Sequence, residues 1–327
     1  MSDFRILCIR VDRIGDMLVS TPVLRRLHAL FPDAAIDVIA SPLGKVALEG
    51  NADVTRVHVY DKRRPFSWLK LLPCLFSRHD LVVSFNAASH TCSMLAALAR
   101  GKKKGALNKG VLAPWSGTPE DGTHYSAKML RELEAEFALP HDASPNIHIS
   151  FSVPESIRQD VLAEFPRIEG QTRIGMFIGN IKKTGLRWPE QKFAELAQKL
   201  LLLNRGIELF IVAGQSDAPL LNAFDGIKDE RLRVFVGGAS MQQTAALLST
   251  FDSFVTSTSA PQHLAAAMDT PTVSVTYPWS EELWTPRGPR NFSAVSEIND
   301  DVRGIPVRQV YEALNKSLQG VLAPWSE

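Results

Sequence analysis

The chain has few cysteines and no long apolar run, and both features narrow the class of protein to which it can belong. Its three cysteines are odd in number and lack metal-site spacing, and Cys8 falls in an apolar run that predicts a buried structural thiol. Nothing indicates disulfides, which favours a reducing compartment. No apolar stretch approaches the about 18 residues of a membrane span, and the N-terminus has no signal-peptide pattern. We therefore expect a protein that is soluble or at most lies on a membrane surface.

Several motifs that define nucleotide and metal chemistry are also missing. There is no Walker A sequence and no GxGxxG, which disfavours P-loop kinases and ordinary dinucleotide dehydrogenases. No HExxH or DxD-like pair is present, so we predict no metal ligands and no bound cofactor. The net charge is only +1 over 327 residues, and nothing global points to nucleic acid as a partner.

The N-terminal stretch organises the rest of the chain. Residues 6–11 predict a buried parallel strand, residues 12–16 a tight polar turn, and residues 17–27 an amphipathic helix. Ligands of parallel α/β sheets bind at the carboxyl ends of the strands, so Asp16 lies where chemistry is expected. The alternative is that Asp16 only caps the helix.

Strands and helices then alternate through both halves of the chain, which predicts an α/β protein with two doubly wound parallel sheets and a cleft between them. We expect a first domain over 1–150, a second over 151–305, and a C-terminal helix within 306–327, with packing back toward the first domain as one option. The polar segment 140–154, which contains prolines, is the predicted linker.

Two basic clusters of the first half fall at predicted loop positions. They would hold an acidic acceptor, although a basic run is as often a solvated face. The clusters are Lys62, Arg63 and Arg64, and Lys102, Lys103 and Lys104.

Three loops of the second half follow predicted strands. The first carries Lys182, Lys183 and Arg187, and cations beside helix amides suit a diphosphate. The second contains Asp217, which could accept hydrogen bonds from a ribose.

The third loop, residues 257–260, enters a helix whose N-terminus favours an anion. His263 on that helix is either a ligand contact or, as we favour from the residue alone, a core histidine hydrogen-bonded to backbone. Trp188 and Trp284 are predicted to be packing residues.

Four motifs together resemble one known family over nearly the whole chain. They are RVDRIGD at 10–16 with Pro22, LRWP at 186–189 with FAEL at 193–196, TSAPQHLAAA at 258–267, and PTV at 271–273 with Pro278. The chain resembles glycosyltransferase family 9, the ADP-heptose:lipopolysaccharide heptosyltransferases of Gram-negative bacteria.

The resemblance implies a GT-B architecture, with two Rossmann-like domains that bind the acceptor in the first and the ADP-sugar in the second. It implies an inverting, metal-independent transfer. Asp16 matches the general base that takes the proton of the acceptor hydroxyl. Lys183 and Arg187 would offset the charge that builds on the ADP leaving group.

The resemblance also assigns the remaining site residues. Asp217 matches the ribose-binding acid, Gly238 and Ala239 fall where the backbone meets the adenine, and Ser259 and His263 match the loop over the donor. The donor set is then Lys182, Asp217, Gly238, Ala239, Thr258, Ser259, Ala260 and His263. The acceptor set is Arg13, Lys62, Arg63, Arg64, Lys102, Lys103 and Lys104.

Three positions depart from the family pattern. The family lysine two residues before Trp188 is Leu186, so its role would pass to Lys182 or Lys183. The aspartate that contacts the donor sugar is Thr258, and the glycine that follows the motif serine is Ala260. Without that carboxylate, the identity of the donor sugar stays open.

The sequence thus predicts a glycosyltransferase that moves a heptose or related sugar from an ADP-sugar to a lipopolysaccharide core or related surface glycan. Its expected partners are the nucleotide-sugar donor, a lipid-linked or phosphorylated glycan acceptor and the inner-membrane surface. Its expected location is the cytoplasm, at the inner face of the inner membrane of a Gram-negative bacterium. The alternatives are a catalytically silent sugar-nucleotide-binding protein of the same fold and a nucleotide-sugar epimerase.

Overall fold

The computed structural model describes residues 4–64, 66–108, 124–180, 182, 184–237 and 240–325. The chain forms two compact units, Met1–Ser152 and Val153–Glu327. The boundary therefore falls inside the polar segment that was predicted as the linker. This segment is tied to the first unit, because the backbone N–H of Ser150 donates to Thr21 Oγ1 at 2.8 Å and Ser152 Oγ donates to the Gly50 carbonyl at 2.8 Å.

The first unit is built on a five-stranded parallel sheet in the order β3-β2-β1-β4-β5. Its central strand buries Ile6, Leu7, Cys8 and Ile9 completely, as expected for a parallel strand covered on both faces. The strands are β1 (Arg5–Arg10), β2 (Ala35–Ala40), β3 (Arg56–Val59), β4 (His79–Ser84) and β5 (Gly101–Ala106).

Six helices accompany this sheet in the described part of the first unit. They are α1 (Ile14–Leu18), α2 (Thr21–Leu30), α3 (Pro42–Ala47), α4 (Leu72–Phe76), α5 (His90–Leu98) and α6 (Tyr125–Phe137), with a 3-10 helix at Ser67–Leu71 that leads into α4.

The single helix predicted over 17–27 is wrong, because the structure divides it into α1 and α2. Pro22 is the second residue of α2, where its missing N–H is tolerated. The same proline cannot continue a helix that arrives from α1, and Ser20 instead provides the start of the new one. Asp16 consequently lies in the first turn of a short helix rather than in a loop.

The loop predicted at residues 102–104 is also wrong, because these residues form the middle of β5. β5 is an edge strand, and its three lysines are exposed. Lysines on an edge strand discourage pairing with other chains, which explains why a strand can carry a sequence with so little apolar character.

The second unit contains a six-stranded parallel sheet in the order β11-β10-β9-β6-β7-β8. Its strands are β6 (Thr172–Phe177), β7 (Ile207–Gly214), β8 (Leu232–Gly237), β9 (Ser253–Ser257), β10 (Thr272–Thr276) and β11 (Phe292–Val295). The last core strand was predicted at β10, and the four-residue edge strand β11 was missed because it is too short to show a period.

The helices of the second unit are α7 (Glu155–Glu164), α8 (Glu190–Leu203), α9 (Met241–Leu248), α10 (Ala260–Ala267), α11 (Pro278–Trp284) and α12 (Val307–Ser317), with 3-10 helices at Thr184–Leu186 and Gln215–Phe224. Among the described residues of both units, no helix is both long and apolar enough to cross a membrane.

The C-terminal helix α12 belongs to the core of the second unit, whereas the sequence pattern separated it from that domain. It packs on β9, β10, β11 and α8. Val310, Tyr311 and Leu314 are fully buried there, and Tyr311 Oη donates to the Ala323 carbonyl at 2.7 Å. Packing of this helix toward the first domain stays a prediction.

A buried ion pair lies at the start of the second sheet. Arg173 Nε donates to Glu208 Oε2 at 2.7 Å, and both side chains are almost fully buried. Arg173 Nη1 also donates to the Phe165 carbonyl at 3.1 Å and to Thr250 Oγ1 at 3.2 Å, and Nη2 donates to the Pro166 carbonyl at 2.7 Å. A charge in this position requires its partner, because desolvation without a counter-ion is costly.

We expect Glu208→Gln to destabilise the protein by about 3 kcal/mol or more, since it leaves the Arg173 guanidinium buried without a counter-charge. The measurement is urea unfolding followed by circular dichroism. The matched control is Glu312→Gln, which removes an exposed pair with Arg308 (2.8 Å) and should cost less than about 1 kcal/mol. Equal losses in the two variants would contradict the account.

Candidate active site

A buried guanidinium stands at the carboxyl end of the central strand of the first unit. Arg10 is the last residue of β1 and is 1% exposed. Its Nε lies 3.5 Å from Asp12 Oδ2, and its Nη2 lies 3.3 Å from Asp16 Oδ1. Burial opposes the charge, but the Tyr125 phenol and the carboxylates of Asp16 and Asp12 outweigh it and raise the pKa of Arg10. Arg10 is therefore a fixed cation between two carboxylates.

The other donors of Arg10 fasten it to the protein. Nη1 donates to Ser20 Oγ at 3.1 Å and to the Phe85 carbonyl at 3.3 Å, and Nη2 donates to Tyr125 Oη at 3.1 Å. Tyr125 begins α6 and is held in turn by Asn108, whose Nδ2 donates to its hydroxyl at 2.8 Å. Burial raises the pKa of Tyr125, so this phenol stays neutral.

Asp16 makes two contacts within this arrangement. Its Oδ1 faces Arg10, and its Oδ2 accepts the backbone N–H of Arg13 at 3.3 Å. The predicted capping interaction is thus present. The carboxylate side chain is still 28% exposed, so capping leaves it accessible to a ligand.

Asp12 is a second carboxylate at this strand end, and the sequence interpretation gave it no role. Asn86, which follows β4, donates from Nδ2 to Asp12 Oδ2 at 2.8 Å. The ends of β1 and β4, neighbours in the sheet, are joined by this bond. The signal that could have identified the cluster is an arginine at the end of an otherwise apolar strand.

A cavity of about 670 Å³ opens over these residues. It lies at the carboxyl ends of β1, β2, β3 and β4, where Val11, Ser41, Tyr60 and Asn86 follow the four strands. The cavity is lined, among others, by Asp12, Arg13, Asp16, Lys62, Arg63 and Asn86. Asp12 and Asp16 thus share one pocket with a third carboxylate, Asp61, and with three cations.

The predicted acceptor residues divide into two groups. Arg13, Lys62 and Arg63 line the cavity. Arg64 instead forms an ion pair with Asp61, with 3.4 Å between Arg64 Nε and Asp61 Oδ2.

Lys102, Lys103 and Lys104 do not line the cavity. They lie in the middle of the edge strand β5, whereas the cavity opens at the carboxyl ends of β1 to β4. Lys102 pairs with Asp80 at 2.7 Å, Lys104 donates to the Ala97 carbonyl at 2.9 Å, and Lys103 lies 5.5 Å from the centre of the Phe137 ring.

In the second unit, the loops after β6 and β7 meet at Asp217. This carboxylate is buried in the 3-10 helix Gln215–Phe224. A Cβ built on Gly179 would lie 2.4 Å from Asp217 Oδ2, and one built on Gly214 would lie 3.0 Å from it. Only glycine at position 179 leaves room for the carboxylate, so this glycine allows the two loops to approach.

Arg187 is buried and forms an ion pair with Glu190. Burial favours the protonated acid, but the Arg187 hydrogen bond and charge outweigh it and lower the pKa of Glu190. The Nε of Arg187 is buried and has no partner among the described residues.

Among the other predicted donor residues, Lys182 is exposed. Lys183, Gly238 and Ala239 lie outside the described residues.

Trp188 is a packing residue, as predicted, and it also joins two loops. Its side chain is fully buried, and its indole N–H donates to the Ile305 carbonyl at 3.0 Å. Its backbone N–H donates to Ser257 Oγ at 3.0 Å. The loop of Arg187 is thereby fixed to the end of β9, where the third predicted loop begins.

The third loop is rich in hydroxyls that bond to one another. The Thr258 hydroxyl lies 3.0 Å from Thr276 Oγ1 and 3.1 Å from Ser280 Oγ. Ser259 is the N-cap residue of α10, with its Oγ 3.1 Å from Thr256 Oγ1, and Ala260 is the first residue of that helix.

His263 on α10 is buried, as the core interpretation predicted. Burial lowers its pKa to about 4, so the imidazole is neutral near pH 7. Its Nδ1 is buried without a partner in the described structure, so the predicted backbone hydrogen bond is not found at that atom. The Trp284 ring lies edge-on to it, with 6.1 Å between ring centres.

One group of potential metal ligands comes together in the described part of the chain, away from the cavity. Asp37 Oδ2 lies 3.4 Å from both His58 Nε2 and Arg5 Nη2, with the Cys74 thiol close by. Burial and the nearby Asp37 raise the pKa of Cys74 to about 12, which keeps the thiol protonated. The ion pair of Asp37 with Arg5 and its contact with the His58 ring account for this group.

Comparison with known proteins gives consistent matches. The profile of glycosyltransferase family 9 (heptosyltransferase) matches residues 150–302. Lipopolysaccharide heptosyltransferase 2 of Salmonella typhimurium is 26% identical over 309 residues, which span 86% of this chain and 85% of that protein.

Two of the solved structures that match share the fold over 97% of this chain. A glycosyltransferase family 9 protein from Veillonella parvula superimposes with a TM-score of 0.81 at 17% identity, covering 97% of this chain and 98% of the other. The ADP-heptose lipopolysaccharide heptosyltransferase II of Escherichia coli gives a TM-score of 0.74 at 20% identity, covering 97% and 99%. The expected GT-B fold of two Rossmann-like domains is confirmed. The chain is similar to the heptosyltransferases of glycosyltransferase family 9 and is a glycosyltransferase.

Proposed function

We propose that this protein transfers a heptose from ADP-heptose to a lipopolysaccharide core or related surface glycan. The observation that carries the proposal is the Asp16 carboxylate, held by Arg10 at the wall of a cavity large enough for a sugar acceptor. The relatives support the substrates, because the matching Salmonella and Escherichia coli proteins are named as lipopolysaccharide heptosyltransferases, the latter for ADP-heptose.

In the proposed reaction, Asp16 is the general base. It takes the proton of the acceptor hydroxyl while that oxygen attacks the anomeric carbon of the donor sugar. The bond from this carbon to the β-phosphate oxygen breaks in the same step, and ADP leaves with the bonding electron pair. A single displacement inverts the anomeric configuration and requires no metal ion.

The leaving diphosphate would be stabilised by cations and by a helix N-terminus of the second unit. Arg187, Lys182 and Lys183 supply the positive charge, and the amides that open α10 supply donors. Glu190 neutralises part of the Arg187 charge, so the unpartnered Nε is the donor we assign to the phosphate.

The remaining donor residues would bind the nucleoside and the sugar. We assign the ribose to Asp217, the adenine to the backbone of Gly238 and Ala239, and the phosphate-sugar junction to Ser259 and His263. Thr258 and Ala260 would shape the sugar pocket. Because Thr258 offers a hydroxyl where the family offers a carboxylate, we expect weaker binding of the sugar hydroxyls than of the nucleotide.

The acceptor would occupy the first unit. Arg13, Lys62 and Arg63 are placed to bind its anionic groups within the cavity, with Arg64, Lys102, Lys103 and Lys104 acting outside the cavity on a longer or phosphorylated acceptor. A lipid-linked acceptor would place the enzyme in the cytoplasm, at the inner face of the inner membrane.

A catalytically silent sugar-nucleotide-binding protein is the second candidate. The observation that favours it is Thr258, whose hydroxyl is already bonded to Thr276 and Ser280. This candidate predicts donor binding without turnover.

We expect Asp16→Asn to lower kcat by about 10²–10⁴-fold, because the amide cannot accept the acceptor proton, while ADP binding stays the same. The measurements are ADP release with a lipopolysaccharide acceptor extract and calorimetric titration of ADP. Asp61→Asn is the matched control, since Asp61 lines the same cavity without touching Arg10. Normal turnover by the Asp16 variant would rule out the base.

We expect Arg10 to position Asp16. The variant Arg10→Lys should distinguish this positioning role from a role in folding alone. Lysine keeps the charge but loses the fork that reaches Asp12 and Asp16 together, so kcat should fall about tenfold or more with donor KM unchanged. Tyr125→Phe, which removes one acceptor at 3.1 Å, should give a smaller loss in the same direction. A rise in donor KM with normal kcat would contradict the assignment.

His263 should make stability, rather than donor binding, depend on pH. Its pKa is about 4 in the folded protein and about 6.5 when unfolded, so the unfolded state binds the proton more tightly. Above about pH 6.5 the histidine is neutral in both states and costs no stability. As the pH falls toward 4, protonation of the unfolded state lowers the free energy of unfolding, and this loss is about 2 kcal/mol at pH 5. His263→Gln should therefore flatten the fall in Tm between about pH 7 and pH 5. An unchanged slope would contradict the buried neutral state.

A further inference from the structure

One side of the first unit exposes six large apolar side chains to solvent. Each of them is between 45 and 68% exposed. We call this set the apolar face. It consists of Phe66, Trp68, Leu69, Phe76, Met94 and Leu98.

These side chains belong to neighbouring elements. The 3-10 helix Ser67–Leu71 packs on α4, and α4 packs on α5. The inner sides of these elements bury Leu71, Leu75 and Leu95 in one core cluster on the sheet. Because the inner sides are used in this way, the apolar residues on the outer sides have no partner in the described chain. Met94 and Leu98 are four residues apart and share one face of α5.

Isolated exposed apolar residues are ordinary, but a contiguous group of this size marks an interaction surface. The composition around it indicates the partner. Residues 62–79 contain five lysines and arginines, residues 85–104 contain four, and neither segment contains Asp or Glu.

The cations lie beside the apolar side chains. Lys70 is exposed between Leu69 and the start of α4. Lys104 reaches α5, where its Nζ donates to the Ala97 carbonyl at 2.9 Å, one residue from Leu98. The acids that flank the segments are occupied, since Asp61 pairs with Arg64 and Asp80 pairs with Lys102. Apolar side chains with cations and without free carboxylates complement an anionic bilayer.

We propose that the apolar face docks this enzyme on an anionic lipid bilayer, with Trp68 and Phe76 in the interfacial layer and the surrounding lysines and arginines on the lipid phosphates. A bilayer fits better than a protein partner, because a protein interface concentrates apolar residues at a charge-poor centre and this face carries Lys70 within it.

The proposal rests on the proposed function in one respect, which is the lipid-linked acceptor. The two segments that carry the apolar face also line the cavity of Asp16, through Lys62 and Arg63 on one segment and Ser89 and Thr91 on the other. Docking by this face would therefore place the mouth of the cavity near the headgroups, where the sugar of a lipid-linked acceptor lies.

Vesicle flotation tests the docking directly and needs neither donor nor turnover. The probes are phosphatidylcholine vesicles with and without about one-third phosphatidylglycerol. We expect the full-length protein to float with the anionic vesicles and to be released by about 0.5 M NaCl. The double variant Phe76→Glu/Leu98→Glu should lower the partition coefficient about tenfold or more, since both side chains would leave the interface.

The matched control is Leu202→Glu, an equally drastic change at a residue that is 77% exposed on α8 of the second unit. It should leave the partition unchanged. Lys70→Glu, which keeps the apolar side chains, should weaken binding to anionic vesicles and leave binding to neutral vesicles unchanged. Equal binding by wild type and the double variant would overturn the proposal.

Two further readouts distinguish insertion into lipid from self-association of the protein. Brominated lipids should quench part of the tryptophan fluorescence of the wild type, and Trp68→Phe should remove that part. Light scattering tests a self-association surface, and a dimer that Leu98→Glu dissociates, without vesicle binding by the wild type, would contradict docking on lipid.

Failure of the two proposals can be told apart. The double variant should retain wild-type turnover of a deacylated, water-soluble acceptor. Vesicle binding with no transfer to any acceptor would leave docking supported and overturn the transferase. Transfer without binding to vesicles would do the reverse.

Discussion

The first unit depends on one buried charge. Arg10 ends β1 directly after four fully buried apolar residues, and its cost of burial is offset by Asp12, Asp16 and the phenol of Tyr125. The same contacts fix both carboxylates at the cavity. Stability and the geometry proposed for catalysis are therefore linked, since removing the cation would leave two acids to repel each other at the strand end.

The sequence predicted the features that have a short-range signal. Buried strands such as β1 are apolar runs. Trp188 comes just before an amphipathic helix, and Asp16 follows a strand at the edge of the sheet where ligands bind. The remaining features depend on distant residues. Asn86 meets Asp12 because the sheet order places β4 beside β1, and Tyr125 meets Arg10 because α6 packs on α2 and β5. No local spacing encodes either contact.

Two errors have different origins. Residues 102–104 form an edge strand although their composition is that of a loop, because backbone pairing with β4 outweighs the low strand preference of lysine. The helix predicted across 17–27 is interrupted by Pro22, which tolerates a helix start but not a helix interior. In the second unit, the packing of Asp217 on Gly179 and the neutral state of His263 likewise follow from burial, which a sequence only suggests.

The measurement that tests the central claim most directly is ADP release from ADP-heptose by the wild-type protein, with and without deacylated lipopolysaccharide from a strain that lacks core heptose. The account predicts release only when the acceptor is present, with the new linkage inverted relative to the donor in the NMR spectrum. Conversion of ADP-heptose without acceptor would indicate an epimerase. Binding of ADP-heptose with no turnover in either reaction would indicate a silent binding protein, and either result would contradict the account.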